Sequence, residues 1–284
     1  METILCLVDF TPISDHAARY AADLAHKIEA KLVLFHNIFE PTGTDFIAYG
    51  GTPYAVPVRD ENIRQAQLDR LNTLKEMLQG LTSELPQVQY DSEIRFGLVR
   101  ETIAQVAQEV QADLIVLGNE GRKGMKDIFI GSVEADVLEC APCPVLIVSP
   151  NSPFKPLEKI VFATDLKGEP FTEVSFVIKL AALFEAELLF LHIQNDELLD
   201  SAPLAQADLD LIKKRLPYPK ASFYNEVSPH IEEGINRFCL QHQADMLVMG
   251  FHPSSFWKHL FLQDHAAKVA QHTQLPLLVI HYKH

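Results

Sequence analysis

The chain has 284 residues, of which 48% are hydrophobic, and its formal net charge at pH 7 is −14. At roughly 150 residues per domain, this length indicates two domains, and the apolar content is sufficient for two buried cores. We expect neither nucleic acid nor an anionic membrane as a partner, because phosphate groups would repel so acidic a chain unless a local basic patch intervened.

The start of the chain and its cysteines bear on the cellular compartment. The opening METILCLVDF enters an apolar, strand-like run without a basic segment, so no signal peptide is predicted. No apolar run approaches the roughly 20 residues that a membrane span requires. The chain contains only four cysteines, which does not call for a disulfide framework. These features predict a reducing, cytoplasmic location.

The first half alternates strands and helices. In chain order, the predicted elements are strand Thr3–Asp9, helix Pro12–Glu29, strand Lys31–Ile38, helix Asp60–Leu81, strand Tyr90–Phe96, helix Val99–Val110, strand Leu114–Gly118, helix Ser132–Glu139 and strand Val145–Ser149. The helices follow from apolar residues that recur on one face, as Ala17, Ala21 and Leu24 do. The strands are continuous apolar runs, which are typical of strands covered on both faces. This alternation predicts an α/β fold with a parallel sheet and right-handed crossovers.

The second half repeats the first. ADLIVLGNEG, at Ala112–Gly121, aligns with ADMLVMGFHP, at Ala244–Pro253. ILCLVDF, at Ile4–Phe10, likewise aligns with IVFATDL, at Ile160–Leu166. Each half is therefore predicted to form one copy of the same domain.

Two proline-rich segments interrupt the repeat. PNSPFKP, residues 150–156, is the predicted linker, since its prolines cannot extend either strand. We therefore predict domains at residues 1–150 and 151–284. The first half carries an additional segment at residues 39–61, rich in Pro, Gly and aromatic residues, which we expect to be a long loop. It would serve as a lid over a ligand crevice or as an interface arm.

A glycine-rich segment, LGNEGRKGMKDIFIGSV, joins the fourth predicted strand to the following helix. In open parallel sheets, ligands bind beyond the carboxyl ends of the strands where the strand order reverses. Asp9 and Gly118 both lie at such ends, so they would face one crevice if their strands are neighbours. Glycines let backbone N–H groups approach an anion, and the helix that begins near Ser132 directs its positive end there. These features predict a phosphate ligand.

The spacing of this segment matches a known family. The order G-x2-G-x9-G-S, from Gly118 to Ser132, resembles the phosphate loop of the ATP-binding universal stress proteins. VDF with Asp9, HN with Asn37 and the closing PCPVLIV resemble the family as well, and the resemblance extends over essentially the whole chain, twice. It implies two tandem open twisted five-stranded parallel sheets with helices on both faces, a Rossmann-like fold of the adenine nucleotide alpha hydrolase type. It also implies a cytoplasmic stress-response protein whose halves form an intrachain pseudo-dimer, with further pairing into a homodimer left open.

The resemblance implies that the first half binds ATP or AMP together with Mg²⁺. Val8 and Asp9 would lie by the adenosine, with Asp9 near the ribose hydroxyls, and Asn37 would offer backbone groups to the adenine edge. The implied phosphate ligands are Gly118, Gly121, Arg122, Gly131, Ser132 and Val133.

Some residues depart from the family pattern or have a structural alternative. Glu120 and Glu134 place carboxylates near the implied triphosphate, where they would repel it or recruit a divalent ion. Asp9 could instead support the turn after its strand, and Ser132 could serve as a helix cap.

The second half has lost the glycine loop. The aligned positions hold Pro253, Gln263 and Asp264, and only Gly250 is retained. Proline lacks an N–H, glutamine adds bulk and aspartate places a negative charge where phosphate would lie. We therefore predict that this half does not bind ATP in the same manner.

Other sites have weaker sequence support. His252, His259 and His265 surround the degenerate loop and could bind zinc, although they lack a metal-ligand spacing. His192 aligns with His36, so this pair is interpreted as architectural. The C-x-x-C pair Cys140 and Cys143 follows a helix rather than preceding one, so the helix dipole disfavours the thiolate that redox chemistry needs. No second C-x-x-C is present to complete a zinc site.

Three functions follow from the sequence. The first is a nucleotide-dependent binding module; the second is a slow ATPase; the third is a nucleotide-free interaction protein with a metal or another ligand in the second half. No catalytic residues are predicted, because phosphate-loop lysine, nucleophile-elbow and zinc-protease motifs are lacking in the sequence. Any hydrolysis of ATP is therefore expected to be slow.

Overall fold

A computed structural model describes residues 1–39, 61–82, 88–119, 132–150, 152–164, 171–194, 218–251 and 275–281. The elements of the first half are β1 Thr3–Leu7, α1 Pro12–Ile28, β2 Lys31–Phe39, α2 Glu61–Leu81, β3 Tyr90–Gly97, α3 Val99–Glu109, β4 Leu114–Gly118, α4 Ser132–Cys140 and β5 Val145–Val148. Those of the second half are β6 Lys159–Ala163, α5 Phe171–Phe184, β7 Glu187–Gln194, β8 Ala221–Val227, α6 Ile231–His242, β9 Met246–Phe251 and β10 Leu277–His281. Every element predicted for the first half is present, with small shifts at its ends.

The strands of each half lie in the same parallel order. Within the first half the strand order is β3-β2-β1-β4-β5. Within the second half the equivalent order is β8-β7-β6-β9-β10. The pairs of β1 with β2 and with β4, and of β6 with β7 and with β9, are all parallel. The predicted α/β fold with tandem parallel sheets is therefore confirmed.

Helices cover both faces of the first-half sheet. Successive side chains of a strand point to opposite faces. Along β2, His36 contacts the ring of Phe10, over which Arg70 of α2 lies, whereas the next residue, Asn37, accepts a hydrogen bond from Thr102 of α3. The strand cores are almost completely buried, as Phe35 of β2 illustrates. Burial on both faces explains why these strands are apolar throughout.

The sequence signals at the ends of α1 act as predicted. The Thr11 side chain accepts a hydrogen bond from the N–H of Ser14, and Pro12 occupies the first turn. The helix ends at Glu29, a left-handed residue whose N–H donates to the carbonyl of Ala25. A hydroxyl cap with proline at the start and a left-handed residue at the end are standard helix boundaries.

The chain packs as two compact units. One contains Met1–Gly118 and Ser132–Val145, and the other contains Asn119 and the described part of Leu146–His284. The domain limits at residues 1–150 and 151–284 stay a prediction. Within the described part of the chain, no helix combines the length and apolar character that crossing a membrane would require.

An aspartate at the equivalent position of each half binds the start of the equivalent strand. Asp113 Oδ2 accepts hydrogen bonds from the N–H groups of Glu2, at 2.6 Å, and Thr3, at 3.2 Å. In the second half, Asp245 Oδ2 accepts from the backbone of residues 158 and 159 at 2.7 and 2.8 Å. Lys155 adds an ion pair to the buried Asp245, at 2.6 Å. The aligned ADLIVLG and ADMLVMG segments thus share a structural aspartate.

Removal of the Asp245 carboxylate should lower the stability of the protein more than removal of the Asp113 carboxylate. Asp245→Ala leaves two part-buried N–H groups without their acceptor, which typically costs about 1–3 kcal/mol, and removes the ion partner of the exposed Lys155. Asp113→Ala is the matched control, since Asp113 is more exposed and no lysine among the described residues forms an ion pair with it. Urea unfolding followed by circular dichroism should show the larger loss of stability for Asp245→Ala. An effect at Asp245 no larger than that at Asp113 would contradict this interpretation.

Candidate functional site

The carboxyl ends of three neighbouring strands meet in the first half. β1 lies between β2 and β4, with Leu7 opposite Phe35 on one side and Cys6 opposite Val116 on the other. The strand order therefore reverses beside β1, as expected from the sequence. Asp9 follows the end of β1, Asn37 lies near the end of β2, and Gly118 ends β4. These three predicted residues thus lie along one edge of the sheet.

Asp9 supports the turn that joins β1 to α1. Its Oδ1 accepts hydrogen bonds from the Thr11 hydroxyl at 2.7 Å and from the Thr11 N–H at 2.9 Å. Burial alone would raise the pKa of Asp9, but hydrogen bonds from Thr11, Ser14 and the backbone of Asp9 itself together outweigh it, so the pKa is lowered. The carboxylate is exposed and stays ionised at neutral pH. The two Thr11 bonds both use Oδ1 and support the turn, and the ligand role of Asp9 stays a prediction.

The side chain of Asn37 is committed to the protein. Its Nδ2 donates to the carbonyl of Gly97 at 3.0 Å, and its Oδ1 accepts from the Thr102 hydroxyl at 2.7 Å. Both amide ends are therefore used to hold β2 against β3 and α3. Any ligand contact of Asn37 has to come from its backbone.

The backbone of Asn37 faces the side of β2 on which β1 has ended. Odd-numbered residues of β2 pair with β1: the Lys31 N–H donates to Glu2, and the Phe35 carbonyl accepts from Val8 at 2.8 Å. Because strand hydrogen bonding alternates with a period of two, the N–H and C=O of Asn37 point the same way. β1 stops at Leu7, so these groups extend past its last residue.

The backbone of Val8 is hydrogen-bonded within the protein, while its predicted place by the adenosine stays a prediction. Its N–H is bonded to Phe35, and its carbonyl lies 2.7 Å from Nδ1 of His36. The side chain is almost completely buried. Val8 therefore contributes to the site chiefly by fixing the end of β1 against β2.

Gly118 is required for close packing. A Cβ at this position would lie 2.8 Å from the carbonyl oxygen of Ile13 and 2.8 Å from its Cγ2. The first turn of α1 therefore lies directly against the end of β4, and any side chain at Gly118 would push it away. Sequence analysis assigned this glycine to phosphate binding alone and missed its packing role.

Only part of the predicted phosphate loop lies within the described residues. Ser132 and Val133 are exposed in the first turn of α4. Glu134 is buried with Val137 and Leu138 on the opposite, packed side of this helix. The predicted ligands Gly121, Arg122 and Gly131, together with Glu120, lie outside the described residues.

The histidine and cysteine alternatives can be partly located. His36 and the Val8 carbonyl have an exact counterpart in His192 and the Thr164 carbonyl, at 3.1 Å, so the pair has a shared architectural bond. No group of three or more potential metal ligands occurs among the described residues, while His252, His259 and His265 lie outside them.

Cys140 is the last residue of α4, one residue beyond the predicted end of this helix, so the pair lies at the carboxyl end of the helix. Burial raises its pKa, and the nearby Arg100 offsets this only in part. A thiol with a raised pKa is a poor nucleophile at neutral pH. The structure thus gives no support to redox chemistry at this pair.

The second half replaces a polar contact of the site with an apolar one. Ile193 and Gly234 stand at the positions of Asn37 and Thr102. A Cβ at Gly234 would lie 3.0 Å from Cδ1 of Ile193, so the isoleucine fills the space next to the glycine. The amide–hydroxyl bond of the first half has no equivalent here.

Sequence analysis also missed a contact beside Asp9. The guanidinium carbon of Arg70, on α2, lies 4.0 Å from the centre of the Phe10 ring, and Phe10 also contacts His36. An aromatic residue after the strand-end aspartate was the only local signal. The position of Arg70 follows from the packing of α2 and has no signature in the sequence.

The chain matches one protein family along almost its entire length. The Universal stress protein family matches residues 1–149 and again residues 156–281. A universal stress protein of Mycolicibacterium smegmatis is 24% identical, with 98% of this chain and 96% of the relative covered. Universal stress protein Slr1230 of Synechocystis sp. is 26% identical, with 98% and 99% covered. A universal stress protein from Archaeoglobus fulgidus shares the fold, with a TM-score of 0.70 at 15% identity, over 98% of this chain and 95% of that one.

A methyl group at Gly118 should destabilise the first half. Gly118→Ala places its Cβ against the backbone of Ile13, which cannot move without shifting α1, so a loss of about 1–3 kcal/mol is expected. Gly80→Ala is the control: a Cβ there meets nothing within 4 Å on the exposed side of α2, and alanine favours the helix by roughly 0.5–1 kcal/mol. Thermal melts should shift downward for the first variant and slightly upward for the second. An unchanged melt for Gly118→Ala would show that α1 is not held against β4.

Proposed function

The chain belongs to the universal stress protein family, and on that premise we propose that its N-terminal half is a regulatory module that binds an adenine nucleotide. The ligand is ATP or AMP, with Mg²⁺ on its phosphates, and the site is the edge formed by the carboxyl ends of β1, β2 and β4. The C-terminal half is a structural partner or takes a different ligand.

The observation that carries this proposal is the backbone of Asn37. Its N–H and C=O extend past the end of β1 and are suited to a partner with one acceptor next to one donor. The Watson–Crick edge of adenine offers this combination, with N1 as acceptor and the N6 amino group as donor. Because the Asn37 side chain is held by Gly97 and Thr102, the strand keeps these backbone groups in a fixed position.

Asp9 is suited to the ribose. Its carboxylate is ionised, and the Thr11 bonds hold its orientation through Oδ1. A ribose hydroxyl could then donate to Oδ2 in a charge-assisted hydrogen bond, which is stronger than a neutral one. Asp9 follows the end of β1, the strand between β2 and β4, so the ribose would lie between the adenine and the phosphates.

The phosphates are assigned to the start of α4. Exposed Ser132 and Val133 lie where the helix presents its unpaired N–H groups and positive dipole end. Gly121, Arg122 and Gly131 complete the proposed cradle. Glu134 is buried with Val137 and Leu138 on the packed side of the helix, which supports a proposal in which its carboxylate does not contact the phosphates.

Further elements of the proposal rest on the composition, the repeat and the family rather than on the site. We place the protein in the cytoplasm, with neither nucleic acid nor membrane as a partner, and we infer that the tandem repeat makes an intrachain pseudo-dimer, with or without pairing of chains. ATP occupancy would stabilise one conformation and thereby change which proteins associate with it.

Calorimetric titration of ATP with Mg²⁺ into the intact protein tests the proposal, after any co-purified nucleotide has been released and identified. We expect one site per chain. Gly131→Glu should weaken binding more than tenfold, since it places bulk and negative charge in the proposed phosphate cradle. The matched control is Gln263→Glu, at the aligned position of the second half, which should bind as the wild type does.

The remaining outcomes separate the alternatives. Absence of binding by the wild type, with no released nucleotide, would contradict the proposal and favour a nucleotide-free interaction protein. Loss of binding in Gln263→Glu alone would move the site to the second half. Release of phosphate from ATP by the wild type at a rate well above that of the Gly131→Glu variant would favour a slow ATPase.

A further inference from the structure

Phe10 adopts an uncommon backbone conformation at the edge of the candidate site. Its φ is 63°, in the left-handed region that a bulky residue adopts only at an energetic cost. Such residues persist when their surroundings hold them in place, and they occur preferentially at functional sites. Two neighbours hold the Phe10 ring: His36 of β2, with ring centres 4.6 Å apart, and Arg70 of α2, at 4.0 Å.

The contacts around Phe10 connect it to the residues assigned to the nucleotide. Phe10 directly follows Asp9, so its backbone conformation sets the direction in which the Asp9 carboxylate leaves the turn. His36, which supports one side of the ring, also bonds the Val8 carbonyl at 2.7 Å. Arg70 supports the ring from a helix that contributes no other residue to the proposed site.

The Arg70–Phe10 contact is specific to the first half, whereas the histidine bond is shared. His192 and the Thr164 carbonyl repeat the bond between His36 and Val8. Leu166 stands at the position of Phe10 and has no aromatic face for a guanidinium. The half that lacks the glycine loop therefore also lacks the cation–π partner.

We propose that Arg70 is a positioning residue of the nucleotide site, which holds the Phe10 ring against His36 and thereby keeps the β1–α1 turn in the conformation that presents Asp9. This inference rests on the proposed function of the first half. It makes α2 a structural support of that half's nucleotide site through one exposed guanidinium. The same guanidinium is held on its own helix by Gln67, whose Oε1 accepts from Nη1 at 3.1 Å.

His36 provides a reporter of this contact that does not depend on nucleotide. Burial lowers the pKa of His36, and its bond to the Val8 carbonyl opposes that effect; the charge of Arg70 lowers the pKa further, and that of Asp9 raises it. Removal of the Arg70 charge should therefore raise the pKa of His36. The shift can be followed in the intact protein by NMR titration of the imidazole resonances.

Three variants test the proposal: Arg70→Ala, Arg70→Lys and the control Arg64→Ala. Arg64 lies on the same helix and pairs with Glu61 at 3.2 Å, away from Phe10. Cation–π contacts at exposed sites correspond to a change of about two- to fivefold in a binding constant. We expect Arg70→Ala to weaken ATP binding by that factor and to raise the pKa of His36. Arg70→Lys, which keeps a cation for the ring, should restore most of both properties, and Arg64→Ala should change neither.

The outcomes separate this inference from the proposed function. Absence of ATP binding by the wild type would contradict the proposed function itself. If the wild type binds ATP and Arg70→Ala binds it equally well, the positioning role of Arg70 is overturned while the function stands. Weaker binding in Arg70→Ala with an unchanged pKa of His36 and no rescue by lysine would also overturn it, since the loss would then reflect general disruption of α2.

Discussion

The hydrogen-bonded pairing of β1 with β4 is the constraint on which the candidate site depends. These strands are far apart in the sequence, yet Cys6 lies opposite Val116 in a parallel register. With β2 on its other side, β1 brings the ends of three strands to one edge of the sheet. Asp9 and Gly118 reach the same edge only because of this order, which is the reversal point where parallel sheets commonly bind ligands.

Comparison of the two halves distinguishes residues that stabilise the fold from residues that a ligand would contact. Both halves keep an aspartate that binds the first N–H groups of the neighbouring strand, and both keep a histidine that binds a carbonyl at the end of that strand. These shared groups stabilise the sheet whatever the half binds. The differences lie elsewhere: Asn37 is replaced by Ile193 and Phe10 by Leu166, next to the degenerate loop. These replacements lie at the edge where the first half would bind its nucleotide.

Much of this arrangement could be predicted from the sequence because its signals are local and periodic. Apolar runs identify the strands, the Thr11 cap and its proline mark the start of α1, and the parallel-sheet rule places Asp9 and Gly118 at one edge. The Asn37 backbone was assigned through the family resemblance, and the alternation of hydrogen bonds along β2 supplies a physical reason for it.

Other features could not be predicted, since they depend on tertiary contacts. The close approach of Ile13 to Gly118 is set by how α1 packs on β4, and no sequence spacing encodes it. The contact between Arg70 and Phe10 joins elements on opposite sides of a long insertion. Aromatic residues rarely adopt the left-handed conformation that Phe10 has. Residue preferences therefore predict an ordinary backbone conformation at this position.

Hydrogen–deuterium exchange with and without ATP and Mg²⁺, read by mass spectrometry, tests the central claim most directly. Nucleotide bound at the edge of β1, β2 and β4 should slow exchange in peptides that contain Asp9, Asn37 and Ser132. Peptides of the second half that contain Ile193 and Gly250 should exchange at unchanged rates. Protection confined to the second half, or no change in either half at saturating ATP, would contradict the claim that the first half holds the nucleotide.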